Sequence, residues 1–260
     1  MHARSALFDL YGDYLRQRGG CAPIASLVCA LAPVGITGPA VRTAVSRMVR
    51  QGWLRATDSH GARGYALTAR AMHRLDQSAA RIYRTRHKEW DGNLDMVLFS
   101  PPTHRSTRAQ LATALRFHGY GPLSAGTWIS PWQDTELEQV FHEADITFTR
   151  FSAAHHGDTA ALACRAWDLD DLALRYLEFI STMGPVVATA DPQSDSEAAY
   201  TARFQLVHAF RVFLFSDPQL PPQLCPPNWA GADAAAFFDT HAARLRPAAD
   251  HFVDQCLPPK

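Results

Sequence analysis

Ten residues, Val41 to Arg50, carry three arginines and two hydroxyls at spacings that gather them on one side of a helix. At about 100° per residue, Val41, Ala44, Val45, Met48 and Val49 project to one side. Arg42, Thr43, Ser46, Arg47 and Arg50 project to the other, with no acid among them. A solvated helix face normally mixes signs, because like charges one turn apart repel. An acid-free arginine and hydroxyl face suits the major groove of DNA. Arginine donates bidentately to guanine, and serine or threonine reaches bases or phosphates. The alternative is a core helix whose basic face meets acids elsewhere in the chain.

Such a face needs elements to hold it. Ser5 can cap a first helix that runs to about Arg18 and ends at Gly19-Gly20. Pro23 opens a second helix that stops near Pro33–Gly35. Thr37 begins the third helix, with Pro39 in its first turn and Gly52 at its close. WLRAT and GYALT then flank a turn-rich DSHGAR, the pattern of a β-hairpin. Its tip brings Arg55, His60 and Arg63, suited to phosphate or minor-groove contact. Helix, helix and hairpin in this order predict a winged helix-turn-helix. A fourth helix is expected from Thr68 to Trp90, with Leu75, Ala79, Ile82 and Tyr83 along one stripe. Its arginines serve either DNA flanks or a solvated face.

Charge is segregated in the same way. The net charge of the 260 residues is zero, from 25 basic and 25 acidic groups. Up to Glu89 there are fourteen basic residues against five acids, a surplus of nine. The remainder holds eleven against twenty, a deficit of nine. A clustered basic segment is the electrostatic footprint of a nucleic-acid-binding part joined to a part with another job. An apolar content of 47% excludes wholesale disorder. No apolar run approaches the roughly 18–20 residues that span a bilayer, and the N-terminal residues lack a secretory pattern. Cys21, Cys29, Cys164, Cys225 and Cys256 are scattered and odd in number, with no CxxC pair. They predict neither a zinc knuckle nor a disulfide framework, and a cytoplasmic chain with reduced thiols.

From Asp91 the texture changes. MVLFS reads as a buried strand and RSTRAQLATALRFHGYG as an amphipathic helix. PLSAGTWISP reads as a strand, DTELEQVFHEA as a short helix and DITFTRFSA as another strand. This β-α-β-α-β order predicts a ferredoxin-like α+β sandwich. WDLDDLALRYLEFISTM resumes helix, and VVATADPQSDSEAAY is linker-like in its middle. A helical block, SEAAYTARFQLVHAFRVFLF, leads into the proline-rich SDPQLPPQLCPPNWAG and a last helix over about 232–256. The predicted fold class is α+β in three domains. They are a winged helix with its basic connecting helix (1–90), a ferredoxin-like domain (91–180) and a mostly helical C-terminal domain (181–260).

Three segments in order carry a family resemblance. FDLYGDYLRQRGG with ITGPAVRTAVSRMVRQGWL and GYALT resembles the N-terminal winged helix of the PaaX family. LSAGTWISP resembles that family's Cas2-like, ferredoxin-folded middle domain. LVHAFRVFLFSDPQLPPQLCPPNWAG resembles its C-terminal signature, with Phe210 where a tyrosine is usual. The resemblance implies a homodimeric repressor of phenylacetic acid degradation that binds palindromic double-stranded operator DNA. It also implies release by an aryl-acyl-CoA effector such as phenylacetyl-CoA. DNA contact carries over onto Arg42, Thr43, Ser46, Arg47, Arg50 and, in the wing, Arg63. His208 and Arg211 stand inside the tail motif beside Phe204, Phe210 and Phe213. They are candidates for ligand or interdomain contact, while the three aromatics read as core.

Catalytic machinery is not expected. A Cas2-like nuclease would need an acid ending its first strand, where this chain has Ser100, with Asp95 just before the strand. That feature separates a rival reading, a metal-dependent nucleic-acid enzyme, from the repressor. A third reading is a winged-helix module for protein assembly without specific DNA. His155 and His156 with Asp158 lack the further ligands of a metal site and read as a loop. Hydrolase elbows, P-loops and dinucleotide fingerprints are absent, so no cofactor is expected.

Overall fold

A computed structural model describes residues 1–59, 62–84 and 89–258. His60 and residues 85–88 of the expected fourth helix lie outside them. The chain forms two compact units from non-contiguous segments: Met1–Arg86 with Phe179–Arg211 and Ala234–Lys260, and His87–Glu178 with Val212–Asp233. The chain after residue 180 therefore contributes to both.

In the first unit, α1 (Ala3–Leu10) starts two residues before Ser5 and runs on through a π turn (Tyr11–Leu15) and a 3-10 turn (Arg16–Arg18). Gly19, at φ 86°, closes it in the left-handed region that glycine enters without a Cβ clash. A short strand that the sequence pattern does not announce, β1 (Cys21–Pro23), precedes α2 (Ile24–Leu31). Next comes α3 (Gly38–Arg50), with Thr37 at its N-cap and proline in its first turn. The hairpin is β2 (Leu54–Ser59) and β3 (Ala62–Leu67), antiparallel with Leu54 opposite Leu67, and β1 joins it in the order β1-β3-β2. Thr68 caps α4 (Ala69–Ile82), its hydroxyl accepting from the Ala71 amide at 3.3 Å. The sequence expectation of a helix from Thr68 to Trp90 is corrected. The helix stops at Ile82, where the Tyr83 hydroxyl turns to Asp13 and Arg84 takes a positive φ of 47°.

Three more helices complete this unit: the later part of α8 (Leu169–Thr189), then α9 (Ser196–Phe210) and α10 (Ala230–Cys256). The VVAT segment, expected to lead into a linker, is the last turn of α8. Leu7, Leu10, Tyr14, Leu27, Val41, Val45 and Met48 share one core with Tyr200 and Phe204 of α9 and Phe252 and Val253 of α10. The Tyr200 hydroxyl donates to the Ala30 carbonyl at 2.7 Å, so α9 is pinned to α2. A disulfide joins Cys29 of α2 to Cys256 of α10 across 227 residues. This corrects the expectation that all five thiols are free. Spacing along the chain carries no signal for a pair that only folding brings together.

The second unit holds β4 (Asn93–Phe99), α5 (Arg105–Phe117), β5 (Gly121–Ser124), β6 (Thr127–Ser130), α6 (Leu137–Glu143) and β7 (Phe148–Ala154). PLSAGTWISP is a hairpin of two strands rather than one, because the chain turns back at Gly126. A Cβ there would run into the Phe99 carbonyl oxygen. The result is β-α-β-β-α-β with the antiparallel order β5-β6-β4-β7, the ferredoxin-like sheet. Val97, Trp128, Leu111, Leu115 and Phe141 form the core on one face. Leu94, Ile129, Trp167 and Leu224 form it on the other, where α7 (Thr159–Ala166) packs.

Candidate nucleic-acid interface

The two sides of α3 divide as the spacing predicts. Val41, Ala44, Val45 and Met48 are buried, and Val49 is half-buried. Arg42, Thr43, Ser46, Arg47 and Arg50 are all exposed. Burying four apolar side chains against α1 and α2 fixes the helix roll, so the arginines cannot turn inward without exposing that stripe. Among the described residues, none of the three arginines forms an ion pair. The sequence-level alternative of a basic face meeting the chain's own acids therefore has no partner for it.

Arg55 on β2 and Arg63 on β3 are also exposed. Arg63 is near the hairpin tip as expected, but the register corrects Arg55, which pairs opposite Ala66 at the open end of the hairpin. Arg63 lies 5.9 Å from the Tyr65 ring centroid, and Asp58 stands opposite it in the register. Exposed Arg70, at the start of α4, sits 5.0 Å over the Trp53 ring. The rings restrain these guanidiniums while leaving their N–H groups open. The result is an arginine-bearing helix beside an arginine-bearing hairpin in one unit.

His208 and Arg211 lie elsewhere. His208 Nδ1 meets Asp9 Oδ2 at 2.6 Å, and Arg211 Nε pairs with Asp9 Oδ1. Asp9 is on α1, 5% exposed, and burial pushes its carboxyl up despite His208 and Arg211, which pull it down. Phe204, Phe210 and Phe213 are buried, as core aromatics should be.

One turn further along, Asp13 accepts from Arg203, which is 2% exposed, and from the Tyr83 hydroxyl. Arg203 also donates to the Ala242 carbonyl at 3.0 Å and to the Tyr14 and Tyr83 hydroxyls at 3.0 and 3.1 Å. Arg246 approaches Asp13 at 3.5 Å. Burial works against the Arg203 charge, but Asp13, Tyr14 and Tyr83 outweigh it and hold the guanidinium protonated. Burial pushes the Tyr14 and Tyr83 hydroxyls up, so both stay neutral donors. Sequence reasoning missed these acids. The available signal was two carboxylates one turn apart amid Leu10, Tyr11 and Tyr14, with Arg203 equally embedded in apolar residues.

In the second unit Asp95 is inside β4, not before the strand, because pairing begins at Asn93. It is buried, takes Arg150 bidentately at 2.8 and 2.9 Å and accepts from the Tyr120 hydroxyl. Both oxygens are spent on these donors. Ser100 follows the strand. His155 and His156 are exposed loop residues, and Asp158 caps α7, accepting from the Ala161 amide at 3.0 Å. Among the described residues, no group of three or more His, Cys, Asp or Glu is placed to hold a metal, and no helix is long and apolar enough to cross a membrane.

Each of the three parts of the chain also matches known proteins. Residues 2–71 match the family model described as PaaX-like protein, and 87–163 match the PaaX protein central Cas2-like domain. Residues 167–255 match the PaaX-like protein C-terminal domain. The Transcriptional repressor PaaX of Escherichia coli (strain K12) is 30% identical over 262 residues, covering 96% of this chain and 83% of that protein. A solved structure of an uncharacterized protein from Mycobacterium tuberculosis is similar with a TM-score of 0.64 at 25% identity, over 96% of this chain and 98% of that one. With its three parts matched in order and a relative at this identity along nearly its full length, the chain belongs to the PaaX family.

Proposed function

We propose that the protein is a cytoplasmic, homodimeric repressor of an aromatic-acid catabolic operon of the phenylacetate type. Its N-terminal part would act as a winged helix-turn-helix. In this reading α3 enters the major groove and presents Arg42, Thr43, Ser46, Arg47 and Arg50, while Arg55 and Arg63 of the hairpin grip the backbone beside it. The observation that carries the reading is the acid-free, fully exposed basic face of α3, opposite a stripe locked into the core. The similarity to the Escherichia coli transcriptional repressor supports it from a second direction.

Release follows from differential binding. An aryl-acyl-CoA such as phenylacetyl-CoA brings phosphates that compete with Asp9 for Arg211 and His208. Drawing these two side chains from Asp9 would disturb α1, on which α3 packs, and lower DNA affinity. An effector acts only through such a difference in affinity between two arrangements.

A gel-shift titration with the native upstream region tests the assignment. Arg42→Ala and Arg47→Ala should each weaken specific binding about 5- to 150-fold, the range of about 1–3 kcal/mol for a lost bidentate base contact. Phenylacetyl-CoA should release the parent complex. If both variants bind as tightly as the parent, α3 is not the reading surface.

A further inference from the structure

The bonded sulfurs of Cys29 and Cys256 join two ends of one unit. Their Cα atoms are 5.7 Å apart, inside the span that a disulfide bridges without moving the backbone. Cys29 is exposed on α2, and Cys256 is half-buried as the last residue of α10. Buried Leu27 and Ala30 of α2 and Val253 of α10 line one small cavity with Cys256 and belong to one core, so the two helices share apolar packing beside the sulfurs. α2, together with α1, packs directly against α3. The bond thus fastens the end of the last helix to the support of the arginine face.

The other cysteines are not arranged this way. Cys21, Cys164 and Cys225 are unpaired. Burial, with Asp217 nearby, pushes the Cys225 thiol up to about 11, so it carries little thiolate near neutral pH. In a reducing compartment a disulfide is typically transient and redox-sensing rather than a permanent staple. An exposed sulfur paired with a shielded partner fits that use, because one can be reached from solvent and the other resolves the product.

We propose that Cys29 and Cys256 form a reversible thiol–disulfide latch, closed by exchange with an oxidised low-molecular-weight disulfide and opened by thiols. In closing, the Cys29 thiolate attacks one sulfur of the external disulfide. A mixed disulfide forms and one external thiolate leaves and takes up a proton. The Cys256 thiolate then attacks Cys29 Sγ, breaking the mixed disulfide and expelling the second external thiolate, which is also protonated. Two protein thiols are oxidised to one disulfide, and one external disulfide is reduced to two thiols. The closed latch joins two residues 227 positions apart in the chain, and long loops are where cross-linking restrains the unfolded state most.

The test uses the full chain equilibrated in mixtures of reduced and oxidised glutathione, acid-quenched and digested for peptide mass. A linked Cys29–Cys256 peptide pair should appear under oxidising mixtures and vanish under reducing ones. The closed form should melt about 5–15 °C higher than the open form. Cys29→Ser and Cys256→Ser should each fold, lose the linked pair and lose the dependence of melting on the glutathione ratio. Oxidation that yields only mixed disulfides or links between chains overturns the latch. So does a linked pair with an unchanged melting midpoint. Neither readout involves DNA, so either result is independent of the repressor reading.

Discussion

Arg42, Arg47 and Arg50 on α3 and Arg203, Arg211 and Arg246 in and beside the C-terminal helices belong to one compact unit and have opposite fates. The first three stand in solvent, and no ion pair holds them among the described residues. The other three converge on two carboxylates, Asp9 of α1 and Asp13 of the π turn that continues it, and Arg203 is taken almost wholly out of water. The same guanidinium chemistry is a tool in one place and a tie in the other. What separates them is whether a buried carboxylate stands within reach. An arginine left open keeps its five donors for a polyanion, whereas one that meets a buried acid spends them on the fold.

That contrast predicts its largest effect at Asp13. Asp13→Ala would leave Arg203 buried without its carboxylate, which costs about 3–5 kcal/mol for a broken buried pair. Urea denaturation followed by circular dichroism should show this loss. Arg47→Ala, on the exposed face, should leave stability within about 0.5 kcal/mol of the parent. If Asp13→Ala costs no more than Arg47→Ala, the division between tie and tool is wrong.

The exposed set was legible in the sequence and the buried set was not, for a physical reason. A helix repeats every 3.6 residues, so the α3 faces follow from ten consecutive letters. The turn glycines and β-branched runs likewise mark the hairpin and most of the ferredoxin-like strands. Asp9 and His208 are 199 positions apart and Asp13 and Arg203 are 190 apart, so no local pattern links them. The same holds for Cys29 with Cys256. Between these extremes lie errors of local competition. PLSAGTWISP alternates well enough to read as one strand, yet the close approach at Gly126 folds it into two. The arginine-rich run after Ile82 reads as continuing helix, yet Tyr83 leaves it to reach Asp13.

The hairpin sharpens the comparison at intermediate size. Arg55 and Arg63 are exposed like the α3 arginines, but in the proposed reading they would grip the backbone rather than read bases. Arg55→Ala and Arg63→Ala should each reduce the slope of log affinity against log salt by about one, with similar weakening on specific and unrelated DNA. Arg42→Ala should instead lose more affinity for the operator than for unrelated DNA. Equal behaviour of all three across sequences would erase the distinction between reading and gripping.

The smallest effect concerns a partly buried cation site that the carboxylates do not serve. His241 of α10 lies 4.6 Å from the Phe237 ring, with Arg244 as the charge acting on it. Burial, then Arg244, lowers its pKa below the ordinary histidine value of 6.5. The unfolded chain therefore takes up this proton at a higher pH than the native one. Its contribution to stability is present above the unfolded value and is lost as pH falls through the lowered native one. Replacing the ring by a neutral amide, His241→Gln, removes this term and leaves the other titrating groups in place. The difference in urea midpoint between the parent and His241→Gln should thus move against the parent as pH drops from about 7.5 to about 5.5. A difference that stays flat across that window would mean the ring is as free to charge as in water. Position beside a carboxylate would then not be what decides where this unit tolerates a cation.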